Sequence, residues 1–373
     1  MSGPDAARVA RLSEDLRARG LDALLVASLV DVRYLTGFTG SHGLVLISAQ
    51  NGEHPSLEDH WFLTDFRYEA QSAEQVGPWL RREIVGDDAL GALGRLLDSE
   101  ARGGRLGFDD QGLTVAQHTR LGELLGERWE LVPGSDAVRR LRAVKDAGEI
   151  VRIRAASELA DEALRTLLEG GLVGRSEREV AIELERQMRL LGAQAPSFPA
   201  IVAAGAHAAL PHAEPRAETI ERDTLVTIDW GALHEGYCSD CTRTYATGEQ
   251  IGDRARDVYA LVLRAQRAAL AAVAPGPSGR ELDAVARAVI EDAGEGERFG
   301  HGLGHGVGLE VHEAPRLSRH AGEEPLVAGN VVTIEPGVYL PGLLGVRIED
   351  LVVVGEDGCE VLTALPKELT VVS

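Results

Sequence analysis

The sequence predicts an α/β protein, with α+β character in its second half, built as two domains. Three observations carry this reading. Strand-length apolar runs alternate with amphipathic helical stretches through about the first 130 residues. The 373-residue length exceeds what one hydrophobic core normally organises. The second half contains an internal repeat, an acid-bearing β-hairpin preceded by a pair of helices.

Taken in order, residues 6–20 have helical spacing, with Val9, Leu12 and Leu16 three or four apart and Gly20 as the stop. A strand is expected at Leu21–Ala27, followed by strands at Gly43–Ser48, Trp61–Thr64 and Arg105–Phe108. Between them the pattern is helical at Arg67–Gln75, Ala89–Leu97 and Val115–Leu125. Pro133-Gly134-Ser135-Asp136 punctuates the chain, and the boundary between a domain 1–135 and a domain 136–373 is drawn there. A charged helix follows, then a long one from about Ala147 to Leu168 that aligns Ile150, Ile153, Leu159, Ala163, Leu164 and Leu167. The rest reads as a helix at Glu177–Leu191, a strand pair at 224–246, helices at 253–273 and 279–293, and strands at 331–355.

The repeat lies in Leu225-Val226-Thr227-Ile228-Asp229-Trp230-Gly231 and Val331-Val332-Thr333-Ile334-Glu335-Pro336-Gly337. Each is a β-branched run ending in an acid and a turn glycine. A second strand with another acid follows each: Asp240 in Gly236–Thr244 and Glu349 in Gly345–Val354. A single strand acid is ordinarily solvated. Four acids at matching points of a repeat point instead to two halves related by a pseudo-twofold, their carboxylates turned toward each other. An acid flanked by Val346, Ile348, Leu351 and Val352 is costly to bury without a partner.

Composition narrows the function. With 38 Lys+Arg against 59 Asp+Glu the net charge is −21, which opposes sequence-independent binding to nucleic acid or anionic membrane. Aromatic residues are 4% of the chain, so the cores must be built of Leu, Val, Ile and Ala. Three cysteines (Cys238, Cys241, Cys359) are too few for a disulfide framework. Met1–Arg11 has no apolar leader segment, and no apolar run approaches the ~18 residues of a membrane span. A soluble cytoplasmic protein is expected. Cys238-Ser239-Asp240-Cys241 is a CxxC without a second pair, which fails as a structural zinc site; Cys238 is read as buried filler in preference to a thiol serving the site.

Chemistry concentrates in His301-Gly-Leu-Gly-His305-Gly-Val-Gly-Leu-Glu-Val-His312-Glu313. Alternate glycines let backbone approach the imidazoles closely. The chain holds no HExxH and no GxSxG, and this segment contains neither a GxGxxG nor a P-loop. Three histidines between two acid-bearing hairpins point to a metal or proton-transfer site. Four carboxylates and a histidine form an oxygen-rich, thiolate-free donor set suited to two divalent ions, Mn²⁺ first, with Co²⁺ or Zn²⁺ as alternatives.

These residues carry a resemblance. His301–Glu313 is similar to the segment found in the metallopeptidase family that contains Xaa-Pro dipeptidase (prolidase), aminopeptidase P, methionyl aminopeptidase and creatinase. Asp229 in Ile-Asp-x-Gly, Asp240 in Tyr-x-Ser-Asp-x-Thr-Arg-Thr, Glu335 in Thr-Ile-Glu-Pro-Gly and Glu349 in Val-Arg-Ile-Glu-Asp match it too. Tyr34-Leu-Thr-Gly-Phe38 and Leu63-Thr-Asp-x-Arg-Tyr68 resemble the creatinase-type N-terminal domain.

The resemblance implies a pita-bread catalytic domain around a dinuclear centre. Asp229 and Asp240 would bind one ion; Asp240, Glu349, His305 and Glu335 would serve the other, with Asp240 and Glu349 bridging. His312 would contact substrate and stabilise the tetrahedral intermediate, and His212, in Leu-Pro-His-Ala-Glu-Pro, would be the other substrate histidine. Arg347 would orient the bridging carboxylate, His301 would lie near the site, and Glu335 would shuttle a proton to the leaving nitrogen. Arg316 matches the arginine that holds the free carboxylate of a dipeptide, which favours an Xaa-Pro dipeptidase over an aminopeptidase P acting on longer peptides. Creatinase activity fits less well, and a methionyl aminopeptidase would not need the N-terminal domain. A non-catalytic binding protein on the same fold is the remoter alternative, opposed by the intact ligand set. A homodimer is implied, acting on small peptides with proline second. Tyr34–Phe38 and Ser41-His42 are expected to form a wall limiting substrate length.

Overall fold

A computed structural model describes residues 4–49, 60–86, 88–99, 103–134 and 136–373. The chain divides into two units, Met1–Arg142 and Ala143–Ser373. Ser135, where the sequence boundary was drawn, and Met1–Gly3 of the N-terminal segment lie outside the described residues.

The first unit is organised by a six-stranded sheet. Its strand order is Arg81–Val85, Trp61–Asp65, Leu44–Ser48, Ala23–Val26, Gly104–Phe108 and Trp129–Pro133. The two middle pairs are antiparallel and the outer ones parallel, with Ala23–Val26 also parallel to Gly104–Phe108. The expected α/β alternation is present, and Val9, Leu12 and Leu16 of the helix Pro4–Ala18 are fully buried. Sequence patterning omits the two outermost strands. Arg81–Val85 carries three exposed charged residues, and Trp129–Pro133 ends in a proline that cannot donate to a ladder. Both properties suit an edge and hide it from a search for apolar alternation. The helix Leu29–Thr36 was also not foreseen; it stops at Gly37, whose φ of 75° is the left-handed cap.

The second unit repeats one plan twice. Helices Ala147–Glu169 and Glu177–Leu190 precede the hairpin strands Leu225–Trp230 and Cys241–Ala246. Helices Asp253–Ala272 and Gly279–Asp292 precede Val331–Ile334 and Asp350–Val354. The second helix of each pair opens with a Ser-x-x-Glu capping box, Ser176 with Glu179 and Ser278 with Glu281. Each hairpin has its own core: Leu164, Leu167, Val180 and Leu184 pack with Ile228 and Trp230, while Val258, Val262, Leu282 and Ile290 pack with Val332, Ile334 and Val352. These cores are mainly aliphatic, as the low aromatic content requires, and each such side chain contributes roughly 1.5–3 kcal/mol when fully buried.

Neither hairpin is continuous. The strand expected through 236–244 is interrupted between Tyr237–Cys238 and Cys241–Ala246, and the one through 345–354 between Leu344–Arg347 and Asp350–Val354. Cys238 and Asp240 therefore do not lie on one continuous strand. Cys238 packs in an apolar cluster with Ile153, Val307 and Leu351, as filler.

Behind the second interruption lies a buried polar network. Arg243 is paired with Asp350 at 2.9 Å and donates to the carbonyls of Leu365 and Glu349. Asp350 also accepts from Gln266 at 2.7 Å and Thr363 at 3.0 Å. Beside it, Asp161 accepts from the Ala364 N–H, while its Oδ1 is buried with no partner among the described residues. Burial raises the Asp161 carboxyl from 3.8 to about 6. The unfolded chain therefore releases this proton first, and stability falls as pH rises between those two values. Asp161→Asn is accordingly expected to stabilise the protein near pH 8, by on the order of 1–3 kcal/mol. The gain should shrink as pH falls through about 6 and vanish near pH 4. Equal gains at both ends of that range in calorimetric melts would contradict this assignment.

Candidate metal centre

The interruptions in the hairpins are where the acids sit. Asp229 is near the end of Leu225–Trp230, and Asp240 falls in the gap before Cys241. Glu335 directly follows Val331–Ile334, and Glu349 occupies the gap between Arg347 and Asp350. Asp229 stays in the ladder, while leaving it frees Asp240, Glu335 and Glu349 from strict alternation, so acids from both halves turn to one side. One carboxylate oxygen each from Asp229, Asp240 and Glu349 lies within 4.8 Å of the others, all three residues being buried.

The halves are not matched position for position. Asp229 stands opposite Thr242 in the first ladder. In the second, the pairs Ile334↔Asp350 and Gly337↔Arg347 put Glu335 opposite Glu349. Thr242 thus occupies the ladder position that Glu349 takes in the other half, and the equivalence read between Asp240 and Glu349 is offset by two residues. The offset makes a cross-link. Thr242 Oγ1 donates to Glu349 Oε2 at 2.7 Å, and the Glu349 N–H donates to the Thr242 carbonyl at 3.1 Å.

Arg347 is also corrected. It was expected to orient a bridging carboxylate, but its Nη2 donates to Asp229 Oδ2 at 2.6 Å and reaches Glu349 only through Thr242, to which Nε donates at 3.0 Å. Its Nη1 donates to Tyr339 Oη at 2.8 Å and to the Pro211 carbonyl at 3.1 Å. Tyr339 Oη is 2.9 Å from His301 Nε2, while His301 Nδ1 faces the Gly302 carbonyl at 2.7 Å. A carbonyl only accepts, so the His301 proton is on Nδ1 and Tyr339 donates to Nε2. Burial lowers the His301 pKa, in keeping with this neutral form.

His305 Nδ1 faces the Gly306 carbonyl at 3.1 Å, which directs Nε2 at Glu335 Oε1 (3.3 Å) and Asp240 Oδ2 (3.5 Å). The glycines beside it are required. A Cβ at Gly304 would lie 2.0 Å from the Thr333 carbonyl oxygen, and one at Gly306 2.2 Å from that of Ala314. His312 is exposed, its ring 4.2 Å from that of His305. The loop that carries it is held by Glu313, whose Oε1 accepts from the Glu310 N–H at 2.9 Å and whose Oε2 lies 3.3 Å from the buried Lys145 ammonium.

Charge balance is poor by design. Burial pushes Asp240 and Glu349 well above the ordinary carboxylate range, and the neighbouring carboxylates push further. Asp229 is raised by burial despite Arg347. Burial would raise Glu335 too, but the hydrogen bond and charge of His305 outweigh it and hold the group at about 2. Asp229 Oδ1 is buried with no partner among the described residues. Crowded carboxylates, an orphaned oxygen and a neutral-capable imidazole fit a divalent cation site with oxygen and nitrogen donors.

A cavity of about 450 Å³ opens over this cluster. Its lining includes His212, Asp229, Asp240, His301, His305, His312, Glu335, Arg347 and Glu349, together with an apolar wall of Phe198, Ile201, Pro215 and Val311. Arg316 is exposed and outside that lining, although it pairs across the ladder with His305. Sequence reasoning missed Tyr339, Thr242 and Thr333, the last donating to Glu335 at 3.0 Å. Thr242 could have been found by aligning ladder positions instead of acids. In the first unit, Tyr34 and Phe38 are each 1% exposed, so their side chains are core; of the expected group Gly37, Ser41 and His42 retain exposed surface.

Comparison with known proteins gives the same answer along the whole chain. Residues 151–356 match metallopeptidase family M24, and residues 8–144 match the creatinase/prolidase N-terminal domain. An Xaa-Pro dipeptidase of Pyrococcus horikoshii is 36% identical over 366 residues, 97% of this chain and 98% of that protein. An Xaa-Pro dipeptidase structure from Bacillus anthracis superposes with a TM-score of 0.91 at 38% identity, covering 98% of this chain and 99% of its own. An X-Pro aminopeptidase structure from Thermotoga maritima gives 0.86 at 36% identity, covering 96% and 99%.

Arg347 is the guanidinium that offsets this crowd of acids. Arg347→Met is expected to destabilise chelator-treated protein at neutral pH by on the order of 3–5 kcal/mol, since Asp229 keeps its burial and loses its ion pair. The deficit should narrow on acidification, as the carboxylates take up protons. An unchanged neutral-pH melting temperature would refute this account of the charge balance.

Proposed function

This chain belongs to metallopeptidase family M24, and on that premise we propose that it hydrolyses the imide bond of Xaa-Pro dipeptides at a centre of two divalent ions. The observation that carries the proposal is the convergence of buried Asp229, Asp240 and Glu349 beneath a cavity lined by His305, Glu335, His312 and His212. In this reading Asp229 and Asp240 would hold one ion, and Asp240, Glu349, His305 and Glu335 would serve the other. The donor set favours Mn²⁺, with Co²⁺ or Zn²⁺ able to replace it. When bound, the ions supply Lewis acidity that makes a water nucleophilic near neutral pH.

The protein's residues do the rest. His312, exposed beside His305, donates to the oxygen of the scissile carbonyl and stabilises its developing charge. Partial desolvation and the neighbouring His305 lower its pKa, which favours the neutral imidazole as donor. Glu335 carries a proton from the attacking water to the proline nitrogen. Arg347 holds Asp229 in place. That nitrogen has no N–H in the substrate, so recognition depends on ring shape, which suits the wall of Phe198, Ile201, Pro215 and Val311. His212 and His301 contact the substrate from the remaining sides, and Arg316 takes the free carboxylate of the dipeptide.

The dipeptidase reading draws support from Arg316 and from the relatives named Xaa-Pro dipeptidase; the Thermotoga structure, named an X-Pro aminopeptidase, favours the second reading, removal of one residue from longer peptides. Three cysteines without a disulfide suit a reducing cytoplasm. A homodimer belongs to the same reading, on the family resemblance alone.

Comparing Ala-Pro, Ala-Pro-Ala and Ala-Ala with added Mn²⁺ tests the proposal. Ala-Pro should be the best substrate, Ala-Ala a poor one, and a chelator should abolish turnover until Mn²⁺ is returned. Arg316→Gln should raise KM for Ala-Pro about tenfold, in line with loss of one charged hydrogen bond, and leave the amide Ala-Pro-NH₂ unaffected. Cleavage of Ala-Pro-Ala as fast as Ala-Pro would overturn the dipeptidase assignment; activity indifferent to chelation would overturn the metal assignment.

A further inference from the structure

The loop that brings His212 to the cavity is fastened by a carboxylate that takes no part in the chemistry above. Glu177 is the first residue of the helix Glu177–Leu190, directly after its N-cap Ser176. A carboxylate suits a helix N-terminus electrostatically, yet this one turns away and its side chain is 4% exposed. Its Oε1 accepts from the Ala204 N–H at 2.8 Å, and its Oε2 accepts from the Arg216 N–H at 3.0 Å. Between the two, His207 Nδ1 lies 3.0 Å from Oε1 and 2.8 Å from Oε2. A carboxylate only accepts, so the His207 proton is on Nδ1. One side chain therefore binds the start of the segment, its end and a point inside it.

The residues so enclosed are those that face the cavity. Pro211, His212, Ala213, Glu214 and Pro215 all line it. The other side of the loop rests on the second hairpin. Arg347 Nη1 donates to the Pro211 carbonyl at 3.1 Å, and a Cβ at Gly345 would come within 1.8 Å of the Ala208 carbonyl oxygen. The loop is thus gripped from outside by Glu177 and from inside by the arginine that also holds Asp229. The segment 210–216 has no helix or strand; besides these contacts the Arg178 N–H donates to the Arg216 carbonyl at 2.9 Å and Ala213 packs with Ala203 and Ala208.

We propose that Glu177, with His207, is the positioning residue for His212: it fixes the wall that receives substrate, without touching substrate or the residues assigned to the ions. Its functional consequence rests on the dipeptidase reading; the clip itself does not. The need for two acceptor oxygens explains why a carboxylate serves. In Glu177→Gln one oxygen becomes an NH₂, which cannot accept from a backbone N–H and leaves the partly buried amide of Ala204 or Arg216 without its acceptor.

The test uses the full-length, Mn²⁺-loaded protein and its Glu177→Gln and His207→Phe variants. Hydrogen exchange should rise at least tenfold for the amides of 204–216 in Glu177→Gln, and Mn²⁺ content should be unchanged, because no assigned ligand lies in that segment. KM for Ala-Pro should rise about tenfold with a smaller change in kcat, and His207→Phe, which keeps both backbone contacts, should show a weaker version of each effect. Unaltered exchange in Glu177→Gln would overturn the clip even if the enzyme proves to have another substrate. Raised exchange with KM unchanged would overturn the positioning role while leaving the dipeptidase reading standing. Should Glu177→Gln fail to fold, His207→Phe alone decides: wild-type exchange and KM in that variant would refute the proposal.

Discussion

The structure of the second unit answers to one constraint: several carboxylates must be held close together, out of water, with Arg347 the guanidinium that, among the described residues, pairs with the cluster. Carboxylates in such a place repel one another and lose hydration, and both effects favour their protonated forms. Nothing in a simple hairpin would keep them there. What does so is a frame that is already determined before the acids are added: aliphatic cores behind each hairpin, capped helices above them, and a buried Arg243–Asp350 pair that secures the backbone at Glu349. Apolar burial covers the electrostatic cost of assembling the site, and a bound cation would reverse that cost.

The pseudo-twofold relation provides the convergence, and its imperfection provides the chemistry. Strict symmetry would set like groups against like. The two-residue offset instead places the Thr242 hydroxyl against Glu349 and Arg347 against Asp229, so these two contacts across the halves each join a donor to an acceptor. The same offset carries the Arg347–Tyr339–His301 chain, which links a carboxylate to an imidazole at the cavity edge. Duplication explains how acids come to lie on both sides; divergence between the copies explains why they can be tolerated.

Much of this was legible in the chain. Asp229, Asp240, Glu335, Glu349 and His305 stand out because cation binding restricts residue type, and the glycines around His305 stand out because close backbone approach excludes a Cβ. The hidden features share a physical cause: they depend on partners far away in sequence or on the absence of an apolar signature. Arg81–Val85 is a strand because its neighbour Trp61–Asp65 accepts it, and its own residues read as surface. Arg347 sits two positions from Glu349, which suggested that pair, but its guanidinium goes to Asp229 across the pseudo-twofold. Tyr339 looks like any strand tyrosine until the opposite ends of its hydroxyl contacts are known. Glu177 reads as a helix-start acid, and only the fold shows what it holds.

The break in each hairpin has a bearing on which length changes this family of sequences can absorb. The second hairpin ends in an exposed tip, Pro341-Gly342-Leu343, between the paired Leu340 and Leu344. Residues can be gained or lost there while the arms keep their pairing. Within the arms the position is different, because a one-residue slip sends every side chain to the opposite face. A deletion between Val331 and Ile334 would turn Glu335 out of the cluster and a core residue into it. The tips are free to drift in length over evolutionary time; the count of residues from each strand to its acid is not.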